Sequence, residues 1–102
     1  MMRHVGLSEG DELFDIPQGK AALVFHIPGH CAGCKRAVSI LEQKNPKDWD
    51  IMLVDAEDDN NRSLIELYGV SMAPTIITFE NGEKKQEFRG LKQFLDNQSV
   101  FD

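Results

Sequence analysis

Both sulfurs of the chain sit in one tetrad, Cys31-Ala32-Gly33-Cys34, which follows an apolar strand-like run and opens a helix-like one. Two thiols spaced this way at a helix start lie close enough to close to a disulfide. The unpaired amide N–H groups of the first helical turn favour a thiolate on the first of them. The same spacing serves zinc sites, and His30 and His26 could join Cys31 and Cys34 around an ion. Structural zinc, however, usually takes four ligands, the chain has no second cysteine pair, and adjacent His30 and Cys31 are hard to direct to one tetrahedral centre. Redox chemistry without a metal is the expectation.

The 102 residues suit a single domain, 1–102, and 41% hydrophobic residues supply one core but not two. A formal charge of -6 with no basic stripe excludes nucleic acid and an acidic membrane surface as expected partners. Met1 to Leu7 carries no long apolar segment after its arginine, and nothing later approaches a spanning length. A cytoplasmic, reducing location is expected, where a cycling disulfide is more natural than a persistent one.

The elements that must position the dithiol follow from pattern. Met2 to Leu7 suits a short edge strand, and Ser8 with Asp11 has capping-box spacing for a short helix whose apolar side is Leu13, Phe14 and Ile16. Pro17 and Gly19 end that helix. Ala21 to Phe25 is a continuous apolar run, the mark of a strand covered on both faces, stopped by Pro28 and Gly29. Beyond the tetrad, Cys34, Ala37, Val38 and Leu41 share one helix face, and Asn45-Pro46 closes the helix. Trp49 to Val54 reads as a second covered strand, with Trp49 a packing residue. Asp55, Glu57, Asp58 and Asp59 read as a solvated approach to the next helix rather than a cation site, because nothing fixes their geometry. Leu64, Leu67 and Tyr68 form that helix's buried stripe, with Gly69 as its left-handed end. Ile76 to Phe79 is a strand, Asn81-Gly82 a hairpin turn into a charged last strand, and Leu91, Phe94 and Leu95 mark a final amphipathic helix. The fold class is α/β, a central mixed β-sheet flanked by helices on both faces.

With these elements in order, the chain resembles the thioredoxin family across nearly its whole length. The resemblance rests on the apolar strand into Cys31-Ala32-Gly33-Cys34-Lys35, on Tyr68-Gly69-Val70, Ala73-Pro74-Thr75, Phe79-Glu80-Asn81-Gly82-Glu83 and Phe88-Arg89-Gly90. It implies a thioredoxin-like fold, with Cys31 as exposed nucleophile and Cys34 as the more buried cysteine that resolves the mixed disulfide. It also implies a cis Ala73-Pro74 bond in a loop that faces the dithiol and receives substrate backbone, with Gly90 at the same rim.

The departures fall on the redox centre. The family usually has Trp where this chain has His30 and Gly-Pro where it has Ala32-Gly33. His30 can favour the Cys31 thiolate if it points over the sulfur, or be a plain loop histidine. Gly33 leaves the first turn more flexible than proline would, at an entropy cost of order 0.5–1 kcal/mol relative to alanine. The family's buried aspartate behind the dithiol aligns, counting back from Cys31, with Phe25, and its neighbouring lysine with Leu53. Losing both charges together leaves neither unpaired, and proton transfer then falls to water, His30 or His26.

The expected function is thiol-disulfide exchange on protein disulfides by a monomer that needs no cofactor. A thioredoxin-reductase-type flavoprotein would reset the pair, or a low-molecular-weight thiol would, as in a glutaredoxin-like enzyme. The alternative is a noncatalytic adaptor in which the disulfide only shapes a binding surface.

Overall fold

The computed structural model describes residues 2–6 and 15–102. The expected capped helix at Ser8–Asp11, with Leu13 and Phe14, lies outside the described residues. Among the described residues five strands form one sheet: β1 (Met2–Val5), β2 (Lys20–His26), β3 (Trp49–Asp55), β4 (Thr75–Glu80) and β5 (Glu83–Arg89), in spatial order β1-β3-β2-β4-β5. β1, β3 and β2 run parallel, whereas β4 and β5 are antiparallel additions. The mixed sheet expected from the sequence is thus present. Its central strand β2 is buried from Ala21 through His26, which is why it reads as an unbroken apolar run.

Among the described residues three helices cover the sheet: α1 (Ala32–Lys44), α2 (Arg62–Leu67) and α3 (Gly90–Asn97). Strand alternation divides the core into two layers. Ala22, Val24, Ile51, Leu53 and Ile76 turn to one face and meet Ala37 and Leu41 of α1, Phe94 of α3 and Phe101. Ala21, Leu23, Phe25, Met52, Val54, Ile77 and Phe79 turn to the other and meet Leu64, Ile65 and Tyr68 from the α2 segment, with Ile16 and Val70. Trp49 packs as expected, its ring centroid 4.6 Å from that of Phe101.

The terminations are local chemistry. Asn45 closes α1 in the left-handed conformation at φ 44°, donating its amide to Leu41 O. Asn81 and Gly82 take φ 52° and 84°, the paired positive values of a tight hairpin turn, and Asn81 Oδ1 also accepts the Gly19 amide. Asp55 and Asp58 spend their carboxylates on the amides of Glu57 and Asn60 at 2.9 Å, so this acidic stretch builds turns.

The α2 stripe differs from the sequence expectation. Leu64 is buried and Tyr68 half-buried, but Leu67 is 70% exposed and Ile65 packs in its place. At about 100° per residue the arc through 64, 65 and 68 leaves position 67 on its flank, roughly 110° from the centre.

Candidate functional site

Cys31 and Cys34 are joined in a disulfide across the first turn of α1, with their Cα atoms 5.1 Å apart. Cys31 is the N-cap, in extended conformation at φ -127°. Its sulfur accepts the Cys34 amide at 3.1 Å, taking the place a Ser or Asp oxygen fills at an ordinary helix start. It is one of the first-turn amides to which the sequence pointed, and a donor so placed favours a thiolate on Cys31. Cys31 is half-buried, whereas Cys34 is 1% exposed and turned inward with Ala37 and Leu41. The Ile27 amide donates to Cys34 Sγ at 3.5 Å, fixing the end of β2 against the buried sulfur.

The loop before β4 closes over the pair. Cys31 Sγ lies 3.8 Å from the carbonyl oxygen of Ala73, and the Ala73-Pro74 bond is cis. Gly33 sits under the same loop, where a Cβ would lie 3.5 Å from Pro74 Cδ and from Leu91 Cβ. Gly90 takes φ +84° and donates its amide to Pro74 O at 2.8 Å, and a Cβ there would stand 3.4 Å from Met72 Sδ. Gly90→Ala is expected to lower stability by about 1–2 kcal/mol through the left-handed backbone. It should also loosen the Pro74 loop, readable as faster amide exchange at residue 90; an unchanged melt and unchanged exchange would count against this role.

Of the sequence candidates, the structure therefore brings together Cys31, Cys34, Gly33, Ala73, Pro74 and Gly90. His30 is exposed on the turn before Cys31. Phe25 is a correction: it is fully buried but faces the α2 layer, its ring 6.3 Å from that of Tyr68, while Leu53 faces the α1 layer. Phe25 pairs in register with Val54, not Leu53, so the two positions do not form a shared patch behind the sulfurs. Counting back from Cys31 assumes a connection of fixed length, and the turn at Pro28 to His30 sets the strand end instead.

The residue that alternation brings to the Cys34 side is His26. It lines a cleft of about 300 Å³ with Ile27, Pro28, Cys34, Lys35 and Val38. His26 is 7% exposed, and burial holds its pKa below 6.5, helped by His4 and opposed by Asp55. The unfolded chain therefore binds the proton more readily, so this contribution to stability is complete above about pH 6.5 and declines as pH falls toward the lower folded value. His26→Gln is expected to flatten the loss of melting temperature between about pH 7 and 5.5; a slope identical to wild type would contradict it.

Beside Ala73 lies a second, smaller cleft of about 200 Å³, walled by Ile27, Ile65, Val70 and Met72. Met72 is 49% exposed. Met72 and Ile27 are not legible as site residues in the sequence, because a single apolar residue in a loop has no periodicity to betray it. Among the described residues no three His, Cys, Asp or Glu side chains stand in a metal-holding arrangement. No helix of the described residues is long and apolar enough to cross a membrane.

The family model Thioredoxin matches residues 12–98. Over 73 residues, 71% of this chain, the sequence is 33% identical to the probable thioredoxin-2 of Caenorhabditis elegans. Over 62 residues, 61% of this chain, it is 31% identical to a thioredoxin of Chlamydia caviae. These alignments span 48% and 61% of the two relatives' own lengths. Among solved structures, oxidised thioredoxin O2 of Arabidopsis thaliana superposes with a TM-score of 0.69 at 26% identity, covering 81% of this chain and 72% of that one.

Proposed function

This chain belongs to the thioredoxin family, and on that premise we propose that it is a thiol-disulfide oxidoreductase that reduces protein disulfides through Cys31 and Cys34. The observation that carries the reading is the asymmetry of the pair. One sulfur is half-exposed at a helix N-terminus with an amide donor at 3.1 Å, and the other is 1% exposed behind it. The Cys31 thiolate attacks a substrate disulfide, forming a Cys31–substrate bond and releasing one substrate thiol. Cys34 then attacks Cys31 Sγ, releasing the second substrate thiol and leaving the Cys31–Cys34 disulfide. The step consumes the two electrons of the dithiol and needs no metal or organic cofactor.

The Ala73 carbonyl, 3.8 Å from Cys31 Sγ, offers an acceptor for substrate backbone next to the reacting sulfur. Pro74 shapes that rim, and Gly90 holds it by its amide. The cleft walled by Ile65, Val70 and Met72 suits apolar residues flanking the substrate cysteine. The reading extends to a monomeric single domain, 1–102, that works in the cytoplasm and is reset by a flavoprotein reductase of the thioredoxin type.

Insulin-disulfide reduction with two reducing arms tests this. One arm supplies a thioredoxin reductase with NADPH, the other glutathione with its reductase. Turnover in the first arm is the expected result. Turnover confined to the glutathione arm would make the chain glutaredoxin-like in its resetting, and none in either would leave an adaptor and end the enzymatic reading.

A further inference from the structure

Resolution of the mixed disulfide requires a thiolate on Cys34, yet that sulfur is 1% exposed and the Ile27 amide that donates to it carries no charge. Burial in such a place disfavours the charged sulfur, so the proton must have an acceptor close by. The cleft beside Cys34 contains one. His26 closes β2 on the α1 side of the sheet, lines this cleft with Cys34, and has a buried Nε2 with no hydrogen-bond partner among the described residues. A buried imidazole nitrogen left unsatisfied is costly, and such groups persist where chemistry uses them.

We propose that His26 accepts the proton of Cys34 as that sulfur attacks the mixed disulfide on Cys31. The inference rests on the exchange reading above and assigns its second step. The Cys34 S–H bond breaks, the proton passes to His26, the Cys34–Cys31 bond forms, and the Cys31–substrate bond breaks with its electron pair leaving on the substrate sulfur. That sulfur takes a proton from His26 or from solvent, and in the second case His26 gives its own proton to solvent, so that the imidazole returns to its neutral form either way.

The surroundings suit the task. Desolvation and His4 keep the imidazole neutral near neutral pH, so it is free to accept. Across the sheet, His4 on β1 brings its ring centroid to 6.0 Å from that of His26, and Asp55 on β3 pairs with His26 in register and favours the imidazolium once it forms. From α1, Lys35 and Glu42 flank the same cleft, whose open side reaches solvent. His4 and Asp55 act on the imidazole directly, and Cys34, Lys35 and Glu42 are the titratable side chains on its cleft.

The two chemical steps can be separated with an excess of a chromophoric aryl disulfide, dithiobis(nitrobenzoate). The first nitrothiophenolate is released by Cys31 and the second by Cys34. His26→Gln is expected to slow the second phase at least tenfold, while the first stays within about twofold. It should also remove the imidazole inflection from the second phase over about pH 5 to 8. His26→Asp, which restores a titratable acceptor, should recover part of the second-phase rate. In the unaltered protein, the His26 ring followed by NMR should titrate differently in the reduced and oxidised forms, a readout independent of any variant's folding. An unchanged second phase in His26→Gln, equal slowing of both phases, or identical titration in the two redox forms would overturn the proposal. Insulin reduction by the unaltered protein runs alongside: its failure strikes the exchange reading, whereas its success with an indifferent His26→Gln strikes His26 alone.

Discussion

Cys31→Ser abolishes exchange, with a loss of at least ~10³-fold, whereas Cys34→Ser still attacks a disulfide but accumulates the mixed disulfide. The difference follows from position. Cys31 is half-exposed, caps α1 and takes the Cys34 amide at 3.1 Å, so its thiolate is both reachable and stabilised. A serine there keeps the cap but not the nucleophile, since a hydroxyl stays protonated where a thiol does not. Cys34 is 1% exposed and reaches only inward and toward Cys31, so a bulky protein disulfide cannot approach it. Removing it leaves the first step intact and takes away the second. Intact-mass analysis after adding a disulfide-bonded substrate decides the matter: a substrate adduct is expected on Cys34→Ser and none on Cys31→Ser. Equal trapping by both variants would reverse the roles or erase the asymmetry.

Much of this arrangement is legible in the sequence. β2, β3 and β4 are buried on both faces, and such strands read as apolar runs with no need to know which side is which. Asn81-Gly82 and Asn45 announce themselves because positive φ restricts the residue types that fit. The facing of side chains was harder to read. Phe25 and His26 are neighbours at the end of a continuous run, and a one-residue shift in strand register exchanges their faces. Sequence alone makes Phe25 the residue behind the sulfurs and His26 one of three alternatives for proton transfer, whereas strand alternation in the sheet gives that place to His26. Leu67 failed for a related reason, because in a helix of six residues the buried arc is set by which end is anchored.

The face assignment at Phe25 carries the other large effect. Phe25→Asp is expected to destabilise the fold by at least about 4 kcal/mol, since removing a buried Phe side chain alone costs about 3–5 kcal/mol and the new carboxylate has no partner. Phe25 is fully buried between Met52, Val54 and the Tyr68 ring, so the carboxyl is driven toward its neutral form. Its folded pKa then lies above the unfolded value, and the variant should lose stability as pH rises from the unfolded toward the folded value and regain it on acidification. Leu53→Lys cannot relieve the defect. Leu53 packs in the opposite layer with Ala22, Val24 and Phe94, so an ammonium there meets apolar side chains across the sheet from the carboxylate. Each substitution buries its own unpaired charge, and the double variant should be less stable than either single. Phe25→Leu, which keeps an apolar side chain, should fold and retain exchange, since Phe25 lies on the face away from Cys34. Denaturant midpoints of the three single variants and the double measure these relations. A Phe25→Asp chain rescued by Leu53→Lys would place both side chains on one face and undo the layer assignment from which His26 was identified.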